Sequence, residues 1–170
     1  MKKTVLIIFA LIIGSMVKAQ GIDISDASYK FKFNLPSDWV QRKVEETAKK
    51  DAISYSFDKN DGKVAIMLLA FKVNEVKNLS DLVYTLEKDL TLNIPKKDGD
   101  YNDFDMGNYD GRSSKYKDSE FTEVIYYYRT KVTDGDNYTY LLRFITPTSN
   151  FSSGVENDFK NISGNFKPDF

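Results

Sequence analysis

The sequence contains no cysteine and no histidine among its 170 residues. Without cysteine the chain forms no disulfide framework and carries no lipid on a cysteine thiol. Without histidine it lacks the usual general base of serine and cysteine nucleophile triads, and also the commonest protein ligand of zinc and copper. A disulfide-stapled module and a lipoprotein are therefore excluded, and two large classes of enzyme are disfavoured.

Excess positive charge is also lacking. The chain has 24 Lys and Arg side chains against 25 Asp and Glu. Removal of an N-terminal segment carrying Lys2, Lys3 and Lys18 would leave 21 basic against 25 acidic side chains, a formal charge of −4. Because no basic block stands out, nucleic acid is not an expected partner.

The N-terminal apolar run, residues 5–13, is too short to span a bilayer, which takes about 20 residues. It follows a cationic start and precedes Ala19, a small residue at the position that signal peptidase reads. We predict that residues 1–19 are a signal peptide cleaved before Gln20. The mature protein would then be free in the periplasm or extracellular space and would not span the membrane; an uncleaved anchor is the alternative.

The remaining 151 residues amount to about one domain. Residues 20–28 are short, polar and without period, which predicts a flexible leader, and residues 29–170 are expected to form a single α+β domain. The domain opens on an apolar–polar alternation that is typical of a strand with one wet face. The apolar members are Tyr29, Phe31, Phe33 and Leu35. Trp39 follows a turn and is expected to plug one end of the core.

Period-two patterns and turn residues predict two further groups of strands. They cover residues 52–57 and 63–73, joined by a turn at 58–62, and residues 112–117, 121–132 and 138–146, with a turn at 134–137. Residues 64–71 are apolar at every position, which favours a central strand covered on both faces. Residues 96–110 are predicted to be a long exposed loop or a weak strand edge.

Helical spacing of apolar residues predicts two helices. The first has Ser80 as its N-cap and Asp81 in its first turn, carries an apolar stripe as far as Ile94, and is closed by Pro95. The second carries a stripe from Phe151 to Phe166, with Ser153 and Glu156 at capping-box spacing. Antiparallel hairpins with two singly amphipathic helices are most simply arranged as a sheet with helices on its faces.

Two stretches resemble a known family. The opening YKFKFNLPSDW at residues 29–39 resembles the aromatic strand and Pro-x-x-Trp element of PsbP/Mog1-like domains, and DFKNISGNF at residues 158–166 is similar to their closing helix. The resemblance implies a three-layer α/β/α sandwich around a mainly antiparallel sheet. It also implies binding to another protein rather than catalysis, although fold alone does not determine function. The metal-associated residues of the photosystem member do not transfer, since this chain has no histidine.

An acidic cluster between residues 98 and 110 is the strongest local concentration of charge. The candidate metal ligands are Asp98, Asp100, Asp103 and Asp105, followed by Asp110. An EF-hand loop starting at Asp98 would need Gly at its sixth position and Glu at its twelfth, and the chain has Asp103 and Tyr109 there. The favoured interpretation is a solvated loop; a looser calcium site is the alternative, and no other cofactor is indicated.

Two more features of the sequence could carry chemistry. Glu120 and Glu123 could suggest the carboxylate pair of a hydrolase, but strand alternation sends them to opposite faces, and we interpret both as solvent-facing charges on a strand edge. A tyrosine-rich pair of strands could instead expose rings to a carbohydrate or small ligand. Its members are Tyr126, Tyr127, Tyr128, Tyr138 and Tyr140. Alternation places Tyr127 opposite Tyr126 and Tyr128, so some of these rings must fill the core.

The leading functional hypothesis is an exported, non-catalytic binding or assembly module of the cell envelope with another envelope protein as its partner. A carbohydrate or small-ligand binder and a carboxylate-based hydrolase are the alternatives.

Overall fold

A computed structural model describes residues 21–73, 78–89, 91–131 and 137–169. The predicted signal peptide, Leu90 of the first predicted helix and residues 132–136 of the predicted strand end and turn lie outside these ranges. Within them the α-helices are α1 (Leu79–Lys88) and α2 (Ser153–Ser163), and a short 3₁₀ helix covers Thr148–Asn150. The strands are β1 (Ile22–Asp26), β2 (Phe31–Leu35), β3 (Trp39–Glu46), β4 (Ala52–Lys59), β5 (Ala65–Val73), β6 (Lys96–Lys97), β7 (Asn102–Asp105), β8 (Tyr109–Lys117), β9 (Phe121–Thr130), β10 (Asn137–Pro147) and β11 (Phe166–Pro168).

Eight of these strands form one antiparallel sheet in the order β3-β4-β5-β10-β9-β8-β6, with β7 also paired to β8. The hairpin of β4 and β5 and the pairing of β9 with both β8 and β10 confirm the predicted strand groups. Trp39 begins β3 and is buried, as expected of a residue that closes one end of the core. The α+β class is thereby confirmed.

A second sheet of three strands, in the order β1-β2-β11, was not predicted. Residues 22–26 of the expected flexible leader instead form β1, antiparallel to β2, so that prediction is wrong over this stretch. Ile22 and Ile24 alternate with polar residues and pack on the core. The Asp26 carboxylate accepts the N–H groups of Ser28 and Tyr29 at 2.9 and 3.0 Å, which closes the turn into β2.

The end of the second predicted helix is also corrected. Helix α2 stops at Ser163, and Phe166 lies in β11, hydrogen-bonded to β2 in the small sheet. The Phe166 ring is buried against Phe31, Tyr128 and Tyr140, with ring centroids 5.7, 4.7 and 5.1 Å away. An apolar residue at helical spacing therefore reaches the same core from an extended segment.

The two helices lie against opposite faces of the eight-stranded sheet. The main core includes side chains of β2, β4, β5, β10, β11 and α2. A smaller core joins Val83 and Leu86 of α1 to Tyr116, Ile125 and Tyr127. Helix α2 shares its side with the three-stranded sheet, which the expected α/β/α arrangement does not include.

Strand β5 shows how completely each face is covered. Ile66, Leu68 and Ala70 are fully buried on the α2 side, while Leu69 and Phe71 on the α1 side are half-buried against the smaller core. The prediction of a central strand is confirmed, and cover is thinner on the α1 face.

Both predicted helix starts are displaced. Asn78, not Ser80, caps α1, because its side-chain oxygen accepts the N–H of Asp81 at 2.8 Å. Ser152, not Ser153, caps α2 by accepting the N–H of Val155 at 3.3 Å. In each case the side chain that faces back over the first turn is the one that satisfies a free backbone donor.

Helix α1 also ends earlier than Pro95. Asp89 adopts an extended conformation after Lys88, and its carboxylate accepts the N–H of Thr91 at 2.9 Å. Leu92 and Ile94 still pack on the smaller core, from an irregular segment. Among the described residues, neither helix has the length and apolarity needed to cross a bilayer.

Candidate functional site

Strands β6 and β7 are two parts of one interrupted edge strand alongside β8. Lys97 pairs with Tyr116, and Asn102 pairs with Ser113. Four residues therefore lie between the paired positions on the edge strand, and two lie between them on β8. Gly99 has φ of +144°, a conformation that side-chain-bearing residues rarely adopt. The two extra residues form a bulge, a feature that bends an edge and re-aims side chains.

Two hydrogen bonds to β8 hold the bulge in place. The N–H of Asp98 donates to the carbonyl of Lys115 at 2.7 Å, and the Ser114 hydroxyl donates to the carbonyl of Asp100 at 3.1 Å. These bonds satisfy backbone groups that the interruption would otherwise leave unpaired.

Tyr101 anchors the bulge on the α1 face. Its hydroxyl donates to the Glu87 carboxylate at 2.8 Å, and its ring lies 3.8 Å from the Lys97 ammonium and 4.7 Å from the Arg112 guanidinium. Burial, reinforced by the hydrogen bond to Glu87, raises the pKa of Tyr101 to about 12. The phenol therefore stays a donor at neutral pH, and the bulge is tied to α1.

A cleft of about 600 Å³ opens between the bulge and α2. Side chains of β8 and β9 form its floor, and the exposed side of α2 forms one wall. The residues that matter most for its chemistry are Asp98, Asp100, Lys115, Tyr126, Glu156 and Lys160.

The cleft presents both signs of charge. The Lys115 ammonium lies 3.4 Å from the Asp98 carboxylate and 5.8 Å from the centre of the Phe151 ring. Lys160 and Glu156 face the same space from α2. On the floor, burial raises the pKa of Tyr126, so its hydroxyl remains protonated. Such a lining suits a ligand that carries both positive and negative groups.

Comparison with solved structures identifies the fold. The solution structure of cyanobacterial PsbP (CyanoP) from Synechocystis sp. PCC 6803 matches with a TM-score of 0.58 and 14% identity, over 91% of this chain and 96% of that one. The chain has a PsbP-like fold. The resemblance to PsbP/Mog1-like domains that residues 29–39 and 158–166 indicated is therefore confirmed for the fold.

A crystal structure of a protein from Bacteroides thetaiotaomicron VPI-5482 is also similar to this chain. It matches with a TM-score of 0.51 and 16% identity, over 89% of this chain and 49% of that one. The chain thus spans about half the length of the Bacteroides protein. No protein-family model matches the sequence. No curated protein matches it either.

Within the PsbP-like fold the four candidate aspartates separate. Asp98 and Asp100 lie at the rim of the cleft. Asp103 turns to the α1 face, where Arg112 donates to both its oxygens at 2.5 and 2.8 Å, and Asp105 pairs with Lys131 at 2.5 Å. These hydrogen bonds lower the pKa of Asp103 and Asp105.

Among the described residues, no group of three or more His, Cys, Asp or Glu side chains converges in a way that could hold a metal ion. The fifth acidic residue, Asp110, is engaged by Arg129 at 3.0 Å. The solvated loop stays the favoured interpretation of the acidic segment and a calcium site stays its alternative; calorimetric titration with calcium distinguishes them.

Glu123 requires a correction. It was expected to be a solvent-facing charge on an edge, and it is instead buried in β9, between β8 and β10. Arg143 donates to its two carboxylate oxygens at 2.9 and 2.8 Å. Burial raises the pKa of Glu123, and the charge of Arg143 acts in the opposite direction. Glu120 is exposed in the turn before β9 and does not share this environment.

The tyrosine cluster does not form the exposed platform that was the alternative interpretation. Tyr127 does face away from Tyr126 and Tyr128, as alternation required. However, Tyr127, Tyr128, Tyr138 and Tyr140 are all buried, and Tyr126 is half-buried. The Tyr127 hydroxyl donates to that of Tyr116, which donates to Glu87 at 2.5 Å. These rings fill the two cores and do not form a flat ligand surface.

Sequence reasoning missed Lys115 and Lys160, and it named Tyr126 and Glu156 only as members of the tyrosine cluster and of a capping box, not as cleft residues. Only Glu156 and Lys160 left a signal, because residues four apart lie on the same side of a helix. The position of α2 over β8 and β9 is a tertiary fact that no local pattern contains.

Proposed function

We propose that the chain is an exported, non-catalytic binding or assembly module of the cell envelope, and that it holds a protein partner in the cleft between the edge-strand bulge and α2. The cationic start and short apolar run of residues 1–19 support export. The PsbP-like fold supports a binding role by analogy only.

The observation that carries the proposal is the mixed charge of a cleft of about 600 Å³. That volume lies within the range of roughly 300–1,000 Å³ that small-molecule and cofactor pockets occupy. Lys115 and Lys160 would receive carboxylates of the partner, and Asp98, Asp100 and Glu156 would receive its cationic side chains. A polypeptide segment with charges of both signs fits this lining better than a carbohydrate, because the two aromatic rings among the described residues that line the cleft, Phe104 and Tyr126, are half-buried.

Partner capture tests the proposal. The mature chain from Gln20 onward is immobilised and exposed to envelope extract of the producing organism. We expect one defined protein to be recovered, and we expect Lys160→Glu and Glu156→Lys to reduce its recovery. Both side chains lie on the exposed side of α2, so neither change should disturb the fold.

The matched controls are Lys49→Glu and Glu120→Lys. They make the same charge changes at exposed turn residues away from the cleft, and they should leave capture unchanged. Equal capture by all four variants would contradict the assignment of the cleft. Recovery of no protein, together with binding of a small zwitterionic compound, would replace the protein partner with a small ligand.

The site of export is tested separately by the intact mass of the protein from a cell fraction outside the inner membrane. A mass that begins at Gln20 is expected. A full-length mass in the membrane fraction would show an uncleaved anchor.

A further inference from the structure

Strand β3 forms the edge of the eight-stranded sheet at the end away from the cleft. Its residues after Trp39 are all exposed, and Val44 retains 42% of its accessible surface. A long exposed edge offers unpaired backbone groups to another strand, and proteins commonly protect such edges with charges or bulges. Here a register shift between Gln41 and Lys43 marks a bulge at Arg42.

Hydrogen-bond alternation shows which backbone groups of β3 are free. The N–H of Thr47 donates to the carbonyl of Ala52 at 2.9 Å, so these two residues form a bonded pair with β4. Bonded and non-bonded pairs alternate along an antiparallel ladder. The pairing of Val44 with Tyr55 is therefore non-bonded, and the N–H and C=O of Val44 point to the open side.

The charges around Val44 are self-complementary. Lys43 and Glu45 flank it on one face and pair with each other at 2.6 Å, with side chains 64% and 58% exposed. Arg42 and Glu46 flank it one position further out; within the protomer Arg42 pairs with Asp58 at 2.9 Å, and Glu46 accepts the Tyr29 hydroxyl at 3.1 Å. In an antiparallel pair of identical strands centred on Val44, Lys43 lies opposite the partner's Glu45, and Arg42 lies opposite the partner's Glu46.

We propose that two copies of this chain associate through β3, antiparallel and with the two-fold axis at Val44, so that the two eight-stranded sheets join into one. In this arrangement Val44 exchanges both backbone hydrogen bonds with its counterpart. Lys43 and Glu45 of the two copies then form a four-charge cluster. Each Lys43 contacts the Glu45 of its own strand and lies opposite the Glu45 of the second copy. The edge charges disfavour pairing with unrelated strands, and because they are self-complementary they favour pairing with a second copy of this chain.

The association is expected to be weak, because one pair of short strands buries less than the roughly 1,200 Å² of a standard interface. It is independent of the proposed function, since the cleft lies beside the other edge of the sheet. Sedimentation equilibrium of the mature chain should show monomer at about 10 µM and dimer at about 1 mM, a range typical of such small contacts.

Charge reversal tests the register. Lys43→Glu and Glu45→Lys each place like charges across the axis, and each should raise the dissociation constant about fivefold or more. The double variant Lys43→Glu with Glu45→Lys restores complementarity and should restore dimerisation. Lys160→Glu makes the same change of net charge in the cleft and should leave dimerisation unaffected.

A backbone variant tests the hydrogen bonds. Val44→Pro removes an N–H that β4 does not use, so the fold should persist, as circular dichroism would verify, while dimerisation is lost. A mature chain that stays monomeric at about 1 mM would overturn the proposal. A double charge variant that fails to restore association, or a dimer that survives Val44→Pro, would overturn this register. None of these outcomes depends on partner capture by the cleft.

Discussion

Arg143 of β10 forms a bidentate ion pair with Glu123 of the neighbouring strand β9, in the interior of the eight-stranded sheet. Two guanidinium nitrogens donate to the two carboxylate oxygens at 2.9 and 2.8 Å, and the side chains are only 6% and 5% exposed. A third nitrogen of Arg143 donates to the carbonyl of Leu92 at 2.7 Å. The pair therefore fastens the segment after α1 to the sheet as well as neutralising a buried carboxylate.

Removal of one member of the Glu123–Arg143 pair should lower the free energy of unfolding substantially. Arg143→Met leaves Glu123 without its counter-charge, and loss of one member of a buried pair typically costs about 3–5 kcal/mol. The free energy of unfolding from urea denaturation at neutral pH measures this. The double variant Glu123→Leu with Arg143→Met should recover part of the loss, because no unpaired charge remains. A single variant as stable as the wild type would show that the pair contributes little.

The N-cap of α2 predicts that two adjacent serines, Ser152 and Ser153, contribute differently to the free energy of unfolding. Ser152→Ala removes the oxygen that accepts the N–H of Val155, and we expect a loss of about 1 kcal/mol. Ser153→Ala makes the same chemical change one residue later, inside the helix, and should cost much less because alanine is a good helix former. Thermal or urea unfolding compares the two. A larger loss of stability in Ser153→Ala than in Ser152→Ala would show that Ser153 is the N-cap, as the sequence predicted.

Asp118 predicts a specific loss of stability in acid. The N–H groups of Glu120 and Phe121 donate to its carboxylate at 2.8 and 2.7 Å, and these bonds lower the pKa of Asp118. Because the folded-state pKa lies below the unfolded value of about 3.9, the ionised carboxylate stabilises the fold above that value. The contribution is lost as pH falls through the folded-state pKa.

Asp118→Asn should therefore narrow the difference in unfolding free energy between about pH 6 and about pH 3. Denaturation series at both pH values measure it. Asp158→Asn, on the exposed side of α2, is the matched control and should retain the full difference. An identical narrowing in both variants would argue against a specific role for Asp118.

Calcium is expected to leave the melting temperature unchanged. Asp103 and Asp105 are held by Arg112 and Lys131, and Asp98 has Lys115 beside it, so a cation would have to displace ion pairs. Differential scanning calorimetry with millimolar calcium checks this. A rise in melting temperature that Asp98→Asn and Asp100→Asn abolish would establish a calcium site at the rim of the cleft.

Local sequence patterns determined much of the fold. The alternation from Tyr29 to Leu35 predicts β2 with its apolar face buried, and the turn at 58–62 predicts the hairpin of β4 and β5. The stripe from Val155 to Ile162 predicts α2. These predictions are correct because the period of 2 residues in a strand, or 3.6 in a helix, can be recognised from the order of apolar and polar side chains along a short segment. The candidate site was predicted only in part: Asp98 and Asp100 reach the rim, while the cleft itself was not foreseen.

The tertiary structure alone decided the rest. Burial of Glu123 depends on β9 lying between two other strands, since the same residue on an edge would face water. Phe166 and β1 gain their strand pairing from β2, to which β11 is distant in sequence. The cleft exists because a bulge in the edge strand stands opposite α2. Each of these outcomes depends on contacts between distant segments, whose energies are absent from any local window of the chain.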